Sequence, residues 1–204
     1  MPASNPPPRL PGFPAAPPPT TGGKKTLAGV VGSVTAAALL FVLVPKEESG
    51  REVKATVEGS QIRVQHVRGR QYLRAYRDVV GVATICDGDT AGVTMATVET
   101  PAGCAARLER QLIAHAEPVM RCAPALRGRV NQIVALVDLS YNIGPAGVCR
   151  SSIVRKINVG DWAGASAAIL LYNRAGGRVN RGLDARRRRE KALFDTARPA
   201  QGER

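Results

Sequence analysis

Nineteen consecutive residues without a charge, Thr26 to Val44, constrain this chain more than any other stretch. Lys24 and Lys25 precede the run, and Pro45 with Lys46, Glu47 and Glu48 closes it. As one helix it covers roughly 28 Å at about 1.5 Å per residue, close to the hydrocarbon thickness of a bilayer. The run is diluted, since Gly29, Gly32, Ser33, Thr35 and several alanines accompany Leu39, Leu40, Phe41, Val42 and Leu43. We therefore read residues 24–45 as a weakly hydrophobic transmembrane segment. A cleaved signal peptide fits less well, because a long Pro-rich lead precedes the run and no Ala-x-Ala site follows at once. The other alternative is a buried core helix. Basic residues stand on both sides (Lys24 and Lys25 before, Lys46, Arg51 and Lys54 after), so charge alone leaves the orientation open.

Upstream, residues 1–23 read MPASNPPPRLPGFPAAPPPTTGG, where proline recurs too often for helix or central strand and leaves an extended tail. The 204 residues suffice for one ordinary domain plus an appendage, and 44% hydrophobic with 22% charged residues is a globular composition. A net charge of +13 points to a polyanionic partner: nucleic acid, anionic lipid or the acidic bacterial wall. Aromatics make up only 4%, which leaves little surface on which bases can stack and argues against nucleic acid. The four cysteines form no Cys-x-x-Cys pair, so two disulfides outside the cytosol fit better than a zinc knuckle. Oxidised cysteines place the carboxy-terminal domain on the periplasmic side. His66 and His115 are single and distant in sequence, and neither a metal nor a cofactor is expected.

Period-two apolarity in Val53, Ala55 and Val57, then Ile62, Val64 and His66, around the turn pair Gly59-Ser60, predicts a β-hairpin within a linker, 46–67. A second β segment is expected over 81–86, bounded by the turn Asp87-Gly88-Asp89. Helices follow. Thr100 before Pro101 caps one near 101–117, perturbed at Pro118. Another spans Val130 to Ile143 and stops at Gly144-Pro145. Ser151 or Ser152 caps 153–158, Asp161 caps a helix to about Tyr172, and the last starts near Leu183. The fold class is thus α+β, a small β-containing lobe followed by a larger helical one. Eighteen residues of helix separate Cys104 and Cys122 by roughly 27 Å, too far for a disulfide unless the chain folds back at Pro118. That leaves Cys86 with Cys104 and Cys122 with Cys149, which keeps one bridge in each lobe, or the crossed version; four buried thiols are the alternative.

The chemistry is concentrated in Tyr72 to Thr90, where Asp78 precedes Thr84 by six residues and Asp87 and Asp89 flank Gly88. Clustered acids on loops suit general acid and base catalysis, although acids in turns are commonly just turn formers. The stretch resembles the lysozymes of glycoside hydrolase family 24, the phage endolysins, whose motif runs Glu-Gly-x-Arg-Leu-x-x-Tyr-x-Asp-x-x-Gly-x-x-Thr-Ile-Gly-x-Gly-His. Tyr76, Asp78, Gly81, Thr84, Ile85 and Gly88 match it, and Ser140-Tyr141-Asn142-Ile143-Gly144 resembles a downstream Ala-Tyr-Asn-x-Gly. The resemblance covers roughly 68–195, before a tail at 196–204, and implies a lysozyme-like fold. It also implies hydrolysis of the β-1,4 bond between N-acetylmuramic acid and N-acetylglucosamine in peptidoglycan by a monomer, with no nucleic-acid partner. The diluted amino-terminal span resembles that of the signal-arrest-release subclass. Such a protein is held single-pass in the inner membrane through residues 26–44 and released to the periplasm when the membrane potential collapses.

The departures are specific. The resemblance assigns water activation to Asp78 and water holding to Thr84, but the family's proton-donating glutamate lies nine residues before the aspartate, where this chain has Gly69, or Arg68 if the glycines are aligned. Glu58-Gly59 mimics the Glu-Gly pair twenty residues upstream of Asp78, at the hairpin turn, where a solvated acid is expected. Asp89 replaces the family histidine and Cys86 a glycine. The candidates for a relocated donor are Asp87 and Asp89, with burial or mutual repulsion raising one pKa; the rival function is a peptidoglycan binder without turnover. Trp162 is expected to pack, and Arg186 to Arg189 to form a solvated helical face.

Overall fold

The computed structural model describes residues 25–59 and 61–196, so the Pro-rich tail and the tail beyond Thr196 lie outside the described residues. The uncharged run is not one helix. Thr26 Oγ1 accepts the Gly29 N–H and starts α1 (Leu27–Val31); Gly32 stops it in the left-handed conformation, φ +69°. Ser33 Oγ accepts the Ala36 N–H and starts α2 (Val34–Ser49). Each hydroxyl cap contributes about 1 kcal/mol, and glycine takes positive φ without a Cβ clash, so the residues that dilute the run also break it. This differs from the expectation of a single spanning helix: among the described residues no helix is long and apolar enough to cross a membrane. Leu27 and Val31 of α1, with Ala36, Ala37, Leu40, Phe41 and Val44 of α2, are buried in the main core instead.

Gly50 ends α2. The expected hairpin follows as β1 (Glu52–Glu58) and β2 (Gln61–Arg68), with Val53 opposite His66, Ala55 opposite Val64 and Val57 opposite Ile62. That register collects the apolar side chains on one face, which lies against α2. Val53 is buried and Ile62 and Val64 pack on the core, while Lys54, Thr56, Arg63 and Gln65 face solvent.

A smaller ribbon pairs β3 (Tyr76–Arg77) with β4 (Ala83–Thr84). The β segment expected over 81–86 shrinks to two residues because Ile85 and Asp89 exchange backbone hydrogen bonds, 2.9 Å each, around Gly88. Helix α3 (Pro101–Cys122), capped by Thr100, runs through Pro118 rather than stopping before it. Leu112, Ala116, Val119 and Met120 are buried along one face, and that packing outweighs the hydrogen bond the proline removes. Helix α4 (Val130–Ile143) has the bounds read from sequence and is buried continuously from Ile133 to Ser140.

Around α4 lie α5 (Pro145–Arg150), α6 (Ser152–Asn158, capped by Ser151), α7 (Trp162–Ile169, capped by Asp161) and α8 (Arg181–Asp195). Helix α7 ends short of Tyr172, and α8 starts ahead of Leu183 because Asn180 Oδ1 accepts the Leu183 N–H. A two-residue ribbon, β5 (Arg174–Ala175) with β6 (Arg178–Val179), turns at Gly176-Gly177 between them. Disulfides join Cys86 to Cys104 and Cys122 to Cys149, one in each lobe.

Candidate active site

Asp78 opens the turn that follows β3, and Thr84 lies on β4, paired with Tyr76. Asp78 Oδ1 accepts the backbone N–H groups of Val80 (3.0 Å) and Val82 (2.9 Å), and Gly81 supplies the positive φ that the turn requires. Thr84 is buried and its hydroxyl donates to Val82 O at 3.0 Å. The ribbon thus carries a carboxylate at its turn and a hydroxyl on its return strand, with both Asp78 bonds on the same oxygen.

Asp87 and Asp89 are both buried, and each has its own arginine. Asp87 takes Arg51 Nε at 2.8 Å, Arg51 Nη2 at 2.5 Å and Ser49 Oγ at 2.9 Å. Asp89 takes Arg107 Nη1 at 2.8 Å and Gln111 Nε2 at 2.7 Å. Arg107, raised above its ordinary pKa chiefly by its hydrogen bond to Asp89, also holds the Glu99 carboxyl below the usual value. Glu58 is exposed near the hairpin turn, 3.0 Å from Arg63. Arg68 is exposed and pairs with Glu52.

Gly69, the position where counting places the missing glutamate, has φ +94°, and a Cβ there would lie 2.9 Å from Gly50 O and 3.0 Å from Arg51 Cα. The chain therefore returns from β2 against the point where it left α2, and the hairpin is a closed excursion between Gly50 and Gly69. Immediately before the departure point stand Glu47 and Glu48, on the last turn of α2. Glu48 Oε1 accepts from Arg186 Nη1 at 2.8 Å, and Glu47 takes a bidentate pair from Arg189 at 2.9 and 2.7 Å. Arg186 also bonds Asp138 at 2.9 Å and approaches Glu190 at 3.4 Å. Burial works against its charge, but Asp138 and Glu48 outweigh that and hold it above the ordinary arginine range.

Arg187 pairs with Glu190 at 2.5 Å and with Asn142 at 3.1 Å. Burial lowers the pKa of Arg187, and burial followed by nearby Asp138 pushes that of Glu190 well up. This corrects the solvated-face reading of the arginine run: Arg186 and Arg187 are buried ion-pair partners, and only Arg188 and Arg189 face solvent. His115 hydrogen-bonds Ser140 and stacks on Tyr141, and Trp162 packs beneath Arg129 and beside Phe194.

Glu48 is an acid that counting back along the chain from Asp78 does not reach. The available signal was the hairpin itself: a self-contained period-two unit between Gly50 and Gly69 can be stepped over, and what then precedes the motif is Glu48-Ser49-Gly50.

Residues 68–190 match the family model for phage lysozyme. The chain is 33% identical over 121 residues to a SAR-endolysin of Enterobacteria phage P21, a match covering 58% of this chain and 72% of that relative. The muramidase domain of SpmX from Asticaccaulis excentricus superposes with a TM-score of 0.55 at 26% identity, over 63% of this chain and 89% of that one. The active form of P1 phage endolysin Lyz gives a TM-score of 0.60 over 85% of this chain and 95% of that one; at 18% identity this is a likeness of fold.

Proposed function

The chain belongs to the phage lysozyme family, and from that premise we propose that it hydrolyses the β-1,4 bond between N-acetylmuramic acid and N-acetylglucosamine with Glu48 as the proton donor. The observation that supports this is the abutment of Gly69 on Gly50, two residues after Glu48, where the intervening hairpin closes. Glu48 gives its proton to the glycosidic oxygen as the bond to the anomeric carbon breaks. Asp78 takes a proton from the water that attacks that carbon from the opposite face, and Thr84 helps hold the water. The configuration inverts, which calls for carboxyl groups roughly 6.5–9.5 Å apart. Exchange with solvent returns the proton from Asp78 to Glu48. Arg186 divides its charge among Glu48, Asp138 and Glu190, so it orients Glu48 without serving that carboxylate alone. Asp87 and Asp89 act as ion-pair partners rather than donors.

The same reading covers the amino terminus. Before release, residues 26–44 span the inner membrane with the carboxy-terminal domain periplasmic; after release they fold as α1 and α2. The SAR-endolysin relative supports this sequence of states, as does the polar dilution that reduces the cost of leaving lipid.

The test is clearance of permeabilised Gram-negative cells together with mass spectrometry of digested sacculi. Glu48→Gln and Asp78→Asn are each expected to lose about 10²–10⁴-fold in turnover while still pelleting with sacculi. Wild-type protein that pellets without releasing muropeptides establishes the binder instead.

A further inference from the structure

Asp87 has no part in the chemistry above, yet it is among the most tightly held carboxylates of the molecule. It is 3% exposed and receives three hydrogen bonds, all from the two residues that flank Gly50. Gly50 is the left-handed joint at which the chain leaves α2 for the hairpin. Ser49, one residue after Glu48, and Arg51, itself 5% exposed, grip Asp87 from the two sides of that joint. Without a restraint here, motion of the hairpin would be transmitted to the helix end that carries Glu48.

The other end of the clamp is equally fixed. Cys86, at φ +55°, is tied to Cys104, and its N–H donates to Tyr72 O at 2.9 Å. Thr84 lies three residues before Asp87 and pairs across the ribbon with Tyr76, two residues before Asp78. A short path of disulfide, ion pair and strand pairing therefore connects the helix-borne acid to the ribbon-borne Asp78 and Thr84. A buried ion pair adds little stability over apolar residues of similar volume, so fixing geometry is the better account of its presence.

We propose that Asp87, through Arg51 and Ser49, is a positioning residue that sets where the Glu48 carboxyl stands relative to Asp78 and Thr84. This rests on Glu48 being the proton donor. Because removing one partner leaves a buried charge and threatens folding, the first variant is the double replacement Arg51→Met with Asp87→Leu, an apolar pair of similar bulk. The second is Arg51→Lys, which keeps the charge and loses the two-point grip.

The readouts are kcat and KM on soluble peptidoglycan fragments, with Glu48→Gln measured alongside. The double variant should fold and keep KM within about twofold while kcat falls roughly 10- to 100-fold, the scale of a misplacement near 1 Å. Arg51→Lys should show a smaller loss in kcat, again at constant KM, and it decides the matter if the double variant does not fold. A folded double variant, or failing that Arg51→Lys, with wild-type kcat overturns the proposal, as does a loss carried wholly in KM. Wild-type turnover in Glu48→Gln refutes the donor reading itself and the clamp with it; a dead Glu48→Gln beside an unimpaired double variant refutes the clamp alone.

Discussion

In the proposed passage from membrane to folded protein, Gly32 is the position at which the two states would place opposite demands on one residue. In the folded enzyme it has φ +69°, and a Cβ built there meets nothing within 4 Å, so the penalty for a side chain is one of backbone conformation alone. For alanine, left-handed backbone costs about 1–2 kcal/mol. In a domain of this size that lowers the melting temperature of the released protein by roughly 2–8 °C, at about 2–4 °C per kcal/mol. In a continuous bilayer-spanning helix the same change is favourable by about 1 kcal/mol, because alanine is the better helix former.

Together these shift the balance between spanning and folded states by about 2–3 kcal/mol, or roughly 30- to 150-fold toward the membrane. The assay collapses the membrane potential, sediments membranes and measures the pelleted fraction, with thermal melts of the released protein in parallel. Gly32→Asn is the opposing control: asparagine tolerates the left-handed region and is poorly tolerated in lipid, so it should melt close to wild type and pellet less. An unchanged melting temperature for Gly32→Ala refutes the break at this residue. A lowered melting temperature with unchanged partition refutes the membrane state.

Two further expectations follow from the hairpin and the buried charges. Deleting 52–68 so that Arg51 joins Gly69 removes the cover over α2. Losing buried Val53 and half-buried Ile62 and Val64 should destabilise the enzyme by about 3–5 kcal/mol, yet the folded variant should still release muropeptides, and a folded but inactive one counts against the hairpin being an excursion. Glu190 has a raised pKa, so the stability it contributes is full below the ordinary glutamate value, near 4.3, and is lost as pH rises toward the raised value. Glu190→Gln should flatten that decline in a urea-melt series from pH 4 to 8; an undiminished slope in the variant shows that Glu190 is not its source.

Local signals carried much of the fold. The bounds of α4 followed from its apolar face and Gly144, and the hairpin register from alternation around Gly59. Helix length alone narrows the disulfide pairing to two connectivities. Signals that depend on tertiary context misled. Pro118 reads as a stop, but core packing of the last turn of α3 carries the helix past it. Arg186 and Arg187 read as solvent-facing because a run of four arginines is normally solvated, whereas Glu48, Asp138 and Glu190, from three helices, bury them. The proposed donor escapes the sequence for a related reason: counting back from Asp78 assumes an uninterrupted motif, whereas Gly69 abuts Gly50 across the hairpin.

That abutment also makes the architecture difficult to reverse. A glutamate at position 69 would restore the contiguous motif, but its Cβ would run into Gly50 O and its backbone would be held where only glycine is comfortable. While the hairpin remains, no single substitution at that site rebuilds the contiguous spacing. On the proposed reading, the hairpin works as a ratchet that binds the fate of the proton donor to α2, a helix that would first have to leave the bilayer.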